Sequence, residues 1–238
     1  MDSLLKAIQS TADVFSAWLV CIAHPYATCE KFSGDNLDDN QKIKGALQIW
    51  GTAFAVAVVL QLPIYKLFGI GLQDVHFHLP AILFVLVTLF LGAYFAHMAL
   101  RLHKIASRFP DTLAIYAISV GAFAPFFTVL SYPSTLKNFY TVQAIKHGGL
   151  DAAHALAVLV KKSAPTDSLL DFAVAVSSPL GGVIGLLCLA LFANAICMHY
   201  RAEKHAVISA VGLAVAILLP ATAVISLIAT GILYVAIS

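Results

Sequence analysis

The stretch YAISVGAFAPFFTVLSYP, residues 116–133, has no charged side chain, yet it sets Pro125 where a helix would be passing through. Inside a soluble helix a proline removes a hydrogen bond and clashes with the preceding turn, at a cost of about 3 kcal/mol. In a bilayer such residues are tolerated, because neighbouring helices and local adjustments satisfy the freed carbonyl. The stretch therefore reads as a membrane span. On the same reasoning Pro63, Pro125 and Pro220 are expected as kinks within spans. Pro110 and Pro179 are expected at or near the first turn of a span, where a missing N–H has no partner to lose.

Outward from this stretch the composition agrees. Hydrophobic residues make up 61% of the 238-residue chain and charged residues 11%, with mean hydropathy +0.90, which excludes an ordinary soluble domain. A spanning helix needs roughly 20 mainly apolar residues. Segments 46–68, 79–100, 112–132, 174–199 and 206–235 meet that length, and none alternates as a strand would. The expected fold is all-α, a polytopic membrane helical bundle with five transmembrane helices, preceded by an amphipathic interfacial helix. Residues 1–45 form a leader with a polar linker. Residues 46–238 form the transmembrane domain, with an outer segment 133–172 that is partly helical through LDAAHALAVLVKK.

Lysine and arginine placement orients the bundle, because positive residues flanking spans are retained on the cytoplasmic side. Lys6, Lys31, Lys42 and Lys44 precede the first span, Arg101, Lys104 and Arg108 follow the second, and Arg201 and Lys204 follow the fourth. The first connection, GIGLQDVHFHLP, has neither residue. The N-terminus is thus expected in the cytoplasm and the C-terminus outside.

The apolar run VFSAWLVCIA resembles the core of a signal peptide, but Asp2, Lys6 and Asp13 give its flank a negative sum where a signal needs a positive one. Leu4, Leu5, Ile8, Phe15, Trp18, Leu19 and Ile22 instead recur at helical spacing. That pattern predicts a helix lying in the membrane interface, anchored by Phe15 and Trp18 and ended by His24-Pro25. CEKFSGDNLDDNQKIKG reads as a solvated linker.

Close helix contacts in lipid rely on small residues, so Gly181 and Gly185, in a GxxxG arrangement, and Gly212 are expected to pack the last two spans together, with a dimer face as the alternative. Gln61, Lys66, His97 and Asn194 stand out among the sparse polar residues within spans, and no Asp or Glu falls in any of the five segments. That argues against ion-coupled transport. An oligomeric channel or permease remains an alternative, lined by Gln61, Asn194, Pro125 and Pro220. Among the nine histidines, His76 and His78 would chelate a metal if VHFHL were extended, but no histidine pair at matching depth closes a haem site. No disulfide framework, nucleophile motif, phosphate loop or basic aromatic patch occurs. Neither enzyme activity, a cofactor nor a nucleic-acid partner is expected.

The order of features resembles the Yip (Ypt-interacting protein) domain family. The resemblance rests on the leader ending in AHPYATCEKF, on DTLAIYAISVGAFAPFFTVL as the third span, and on ANAICMHYRAEKHAVISAVGLAV as the fourth span, basic turn and fifth span. It implies a non-enzymatic five-span protein acting as a scaffold or as a subunit that oligomerises or binds another membrane component. Eukaryotic members of that family are linked to Rab GTPases. The short leader and long outer segment depart from that pattern and argue against a GTPase partner. They favour a bacterial cytoplasmic membrane over Golgi or ER.

Overall fold

The computed structural model describes the backbone of residues 2–34, 36–67, 75–148 and 168–237, and side chains within 12–66, 87–137 and 169–220. Its helices are α1 (Asp2–Ala23), α2 (Pro25–Ser33), α3 (Asp39–Leu67), α4 (Val75–Leu102), α5 (Phe109–Ser119), α6 (Ala124–Gly148), α7 (Ser168–Tyr200) and α8 (Lys204–Ile237), with a 3-10 turn at Gly121–Phe123 between α5 and α6. No strand occurs among the described residues. The described residues of four apolar segments fall within single helices, and the segment 112–132 is divided between α5 and α6. Three stretches are long and apolar enough to cross a membrane: Asp39–Ile64, Phe109–Lys137 and Leu169–Tyr200. Val87–Leu102 and Lys204–Pro220 are shorter apolar helices over the residues searched.

The helix α5 is the hub. Leu113, Ala114, Ile115, Ala117 and Ile118 are fully buried, and α2, α3, α4 and α7 pack around them. Small residues let neighbours approach closely. A side chain at Gly45 would collide with the Phe32 ring, and one at Gly92 with the Tyr116 hydroxyl.

Three local readings are corrected. The linker is not a solvated strap: α2 occupies Pro25–Ser33 with Thr28, Cys29 and Ser33 buried, and α3 begins at Asp39. Asp38 accepts the Gln41 backbone N–H at 2.7 Å, while the Gln41 side chain accepts the Asp38 backbone N–H at 3.0 Å. This reciprocal capping box was legible in the run DDNQ. Pro125 does not kink a continuous helix, because α5 ends at Ser119 and α6 restarts at Ala124. Lacking an N–H, Pro125 cannot donate to Gly121, whose carbonyl accepts from Ala124 in a 3-10 turn instead. Pro179 lies inside α7, not in its first turn; Pro110 does open α5.

Helix ends α4 and α7 close alike. Lys104 and Arg201 adopt left-handed backbone, with φ 61° and 48°. The Ile105 N–H reaches the Leu100 carbonyl at 3.0 Å and the Ala202 N–H reaches that of Cys197 at 3.2 Å, the six-to-one bond of a Schellman turn. Glycine is the usual occupant, since an L-residue there costs about 1 kcal/mol or more. Lys104→Gly and Arg201→Gly are each expected to raise stability by up to about 1 kcal/mol, read from the denaturant midpoint in detergent. A loss instead would mean that the basic side chain contributes more than the backbone strain costs.

Candidate functional site

The site is built where the third apolar helix breaks. Interrupting a helix exposes carbonyls, and in an apolar surrounding each needs a donor. The leader supplies them. The Trp18 indole N–H donates to the Ala122 carbonyl at 2.9 Å, and the Cys21 thiol lies 3.9 Å from the Ile118 carbonyl. Cys29 Sγ and Ser119 Oγ are 3.9 Å apart. Trp50, stacked on Phe54 at 5.5 Å, leans on the break from α3: a side chain at Gly121 would sit 2.5 Å from its ring.

At about 1.5 Å per residue, Ala122 lies roughly 20 Å along the span from Phe109. The described end of α1 is therefore docked against the interior of the bundle. Trp18, expected as an interfacial anchor, is 6% exposed because its N–H answers the broken backbone. Phe15, 5.4 Å from the Trp18 ring, is exposed.

From the break, α2 runs to a buried charge cluster. Lys42 Nζ donates to Asp111 Oδ1 at 2.6 Å, with the two side chains 1% and 4% exposed. Asp111 stands in the first turn of α5, where the helix macrodipole favours a carboxylate. Its other oxygen faces His199 Nε2 and the Tyr200 hydroxyl, each at 3.5 Å. Tyr200 also accepts from the Arg108 N–H at 3.1 Å. Ser33 Oγ lies 3.3 Å from His199 Nδ1 and donates to the Cys29 carbonyl at 2.7 Å. Since the single Ser33 proton goes to Cys29, the Ser33 oxygen faces His199 Nδ1 as an acceptor.

Ser33, His199 and Asp111 fall in the linear order of a hydrolase triad, but the chemistry differs. The Ser33 proton is committed to a backbone carbonyl, Lys42 neutralises Asp111, and Ser33 is 1% exposed. The array joins α2, α3, α5 and α7. It was missed because its members come from separate segments, 69 residues apart for Lys42 and Asp111. Asp111 stands one place before the apolar segment read as 112–132.

Satellite polar contacts surround this end. Arg108 pairs with Asp39 at 2.6 Å in an exposed setting, His103 Nε2 lies 2.9 Å from Ser209 Oγ, and His97 Nδ1 lies 3.0 Å from Ser107 Oγ. These contacts gather the starts of α3, α5 and α8 and the ends of α2, α4 and α7 at one end of the bundle. The Lys137–Asp171 pair, at 2.6 Å, joins α6 to α7.

The other sequence candidates are not brought together. Asn194 Nδ2 donates to the Tyr26 hydroxyl at 3.4 Å, Pro125 is buried, Gln61 half-buried and Pro220 exposed. An apolar cavity among α4, α5, α7 and α8 is lined by none of these four. Gly181, Gly185 and Gly212 have nothing within 4 Å of where a Cβ would stand, so they do not tighten the last two helices against each other. His76 and His78 lie on helical backbone in α4, where residues two apart do not face each other; their side chains, and LDAAHALAVLVKK, lie outside the described residues. No group of three metal-ligating side chains occurs among those described.

Among the described residues the architecture is all-helical, and three helices long and apolar enough to cross a membrane suggest an integral membrane protein. Comparison with family models, curated proteins and solved structures finds no match for this chain.

Proposed function

We propose that the chain is a non-enzymatic, Yip-like membrane scaffold or subunit with five spans, the basic end in the cytoplasm and the C-terminus outside, that associates with a second copy of itself through α7. The observation that carries this reading is the open face at Gly181, Gly182 and Gly185, where a Cβ would meet nothing within 4 Å. Around it Leu180, Val183, Leu186 and Leu187 are exposed. Small residues on a lipid-exposed helix let a second backbone approach closely, and that approach supplies the van der Waals contact on which association in lipid depends.

The α4 and α8 helices supply the remaining two spans in this reading, since their backbones run 28 and 34 residues against the roughly 20 that a bilayer needs. The test is mass measurement in a mild detergent across a dilution series. The expected result is a dimer or larger oligomer that Gly181→Leu with Gly185→Leu weakens at least ten-fold. A wild-type monomer at every concentration overturns the reading.

A further inference from the structure

The cavity among α4, α5, α7 and α8 has a volume of about 170 Å3. Gly92 and Ala96 on α4, Phe192 on α7 and Ala214 and Leu218 on α8 give it an apolar wall, and Tyr116 on α5 brings the one polar side chain of the lining. The Tyr116 ring is fixed from two sides. Phe192 meets it edge-on at 5.7 Å, and its hydroxyl presses on the Gly92 backbone, where any larger residue would collide. Yet that hydroxyl has no hydrogen-bond partner among the described residues. Counting along α5 from Phe109 puts it roughly 10 Å into the span, where water is scarce and an unpaired hydroxyl costs about 1–3 kcal/mol.

We propose that this cavity is a binding site for a lipid-soluble molecule carrying one six-membered ring with an acceptor oxygen, of the aryl-ketone or quinone class, whose oxygen takes the Tyr116 proton. Size selects the ring: apolar cavities on the order of 150 Å3 stay dry and take up a benzene-sized guest. Depth selects the head, because the ester carbonyls of surrounding lipids stay near the interface while this donor lies below it. An acyl chain would fill the space but leave the hydroxyl unpaired. Entry is from the hydrocarbon, past Leu219 on the rim, which is 64% exposed.

The test uses an isosteric pair, acetophenone and cumene, titrated by ligand-observed NMR against the purified full chain in micelles, with empty micelles subtracted. Saturable binding is expected for both, with acetophenone preferred about five-fold or more, the size of one net hydrogen bond. Tyr116→Phe should abolish the preference while keeping cumene binding, and Ala214→Leu should abolish both. The wild-type comparison needs no variant, so it stands even if either replacement fails to fold. Equal affinity for the two probes in the wild type, a preference that survives Tyr116→Phe, or no saturable binding overturns the proposal. The α7 association reading is unaffected by any of these results.

Discussion

Asp111→Ala is expected to destabilise the protein by about 3–5 kcal/mol, followed through the Trp18 and Trp50 fluorescence in a denaturant titration in detergent. The size follows from what is left behind. Lys42 is 1% exposed, so without its carboxylate an ammonium stays buried with no counter-charge, and His199 and Tyr200 lose the same acceptor. A buried pair is not thereby a net stabiliser, since removing two charges from water offsets much of their attraction. Lys42→Met with Asp111→Leu should consequently recover most of the loss. The exposed Arg108–Asp39 pair supplies the control: its side chains are 59% and 50% exposed, and Asp39→Ala should cost under about 1 kcal/mol and depend on salt. A loss for Asp111→Ala as small as that for Asp39→Ala would mean that water reaches the cluster and that α2, α3, α5 and α7 are not joined there.

The apolar helices were legible in the sequence, whereas α2, the break between α5 and α6 and the partnerships of the helices were not. Five apolar runs near the membrane length announce themselves one by one, because each satisfies its own backbone. The spacing of Phe15, Trp18, Leu19 and Ile22 likewise predicts α1. Periodicity is local, however, and cannot say what a face meets. Trp18 on an amphipathic helix suits a lipid interface and a protein groove equally well, and only the break at residues 119–124 decides between them. Lys42 looked like one more cytoplasmic charge for the same reason. Its partner lies 69 residues on, and nothing near either residue marks the pairing. Gly181 and Gly185 show the converse: the motif reads as a contact, while the fold leaves it open. Asp38 and Gln41 did carry a local signal, the capping box, that would have extended α3 back to Asp39.

The second large effect concerns the leader. Trp18→Ala is expected to cost about 3–5 kcal/mol, the usual range for emptying a buried tryptophan site, and to release the described end of α1 from the break between α5 and α6. Trp18→Phe separates two contributions: it keeps most of the ring volume and removes only the donor to the Ala122 carbonyl, for about 1–3 kcal/mol. Thiol chemistry reports the release directly. Burial pushes the Cys21 thiol up to about 12 and the Cys29 thiol up to about 11, whereas an exposed cysteine titrates near 8.5. The thiolate is the reactive form, so near pH 8 the wild-type leader should resist maleimide labelling at both positions. Trp18→Ala should speed labelling at Cys21 and Cys29 by at least about ten-fold, through ordinary ionisation and free access, with the Cys188 and Cys197 peptides as internal references. If both thiols stay protected, α1 holds to the bundle without Trp18, and the open carbonyls between α5 and α6 have some other donor. If they label together with a loss of cooperative unfolding, the leader is part of the transmembrane core, and its removal should unfold the bundle.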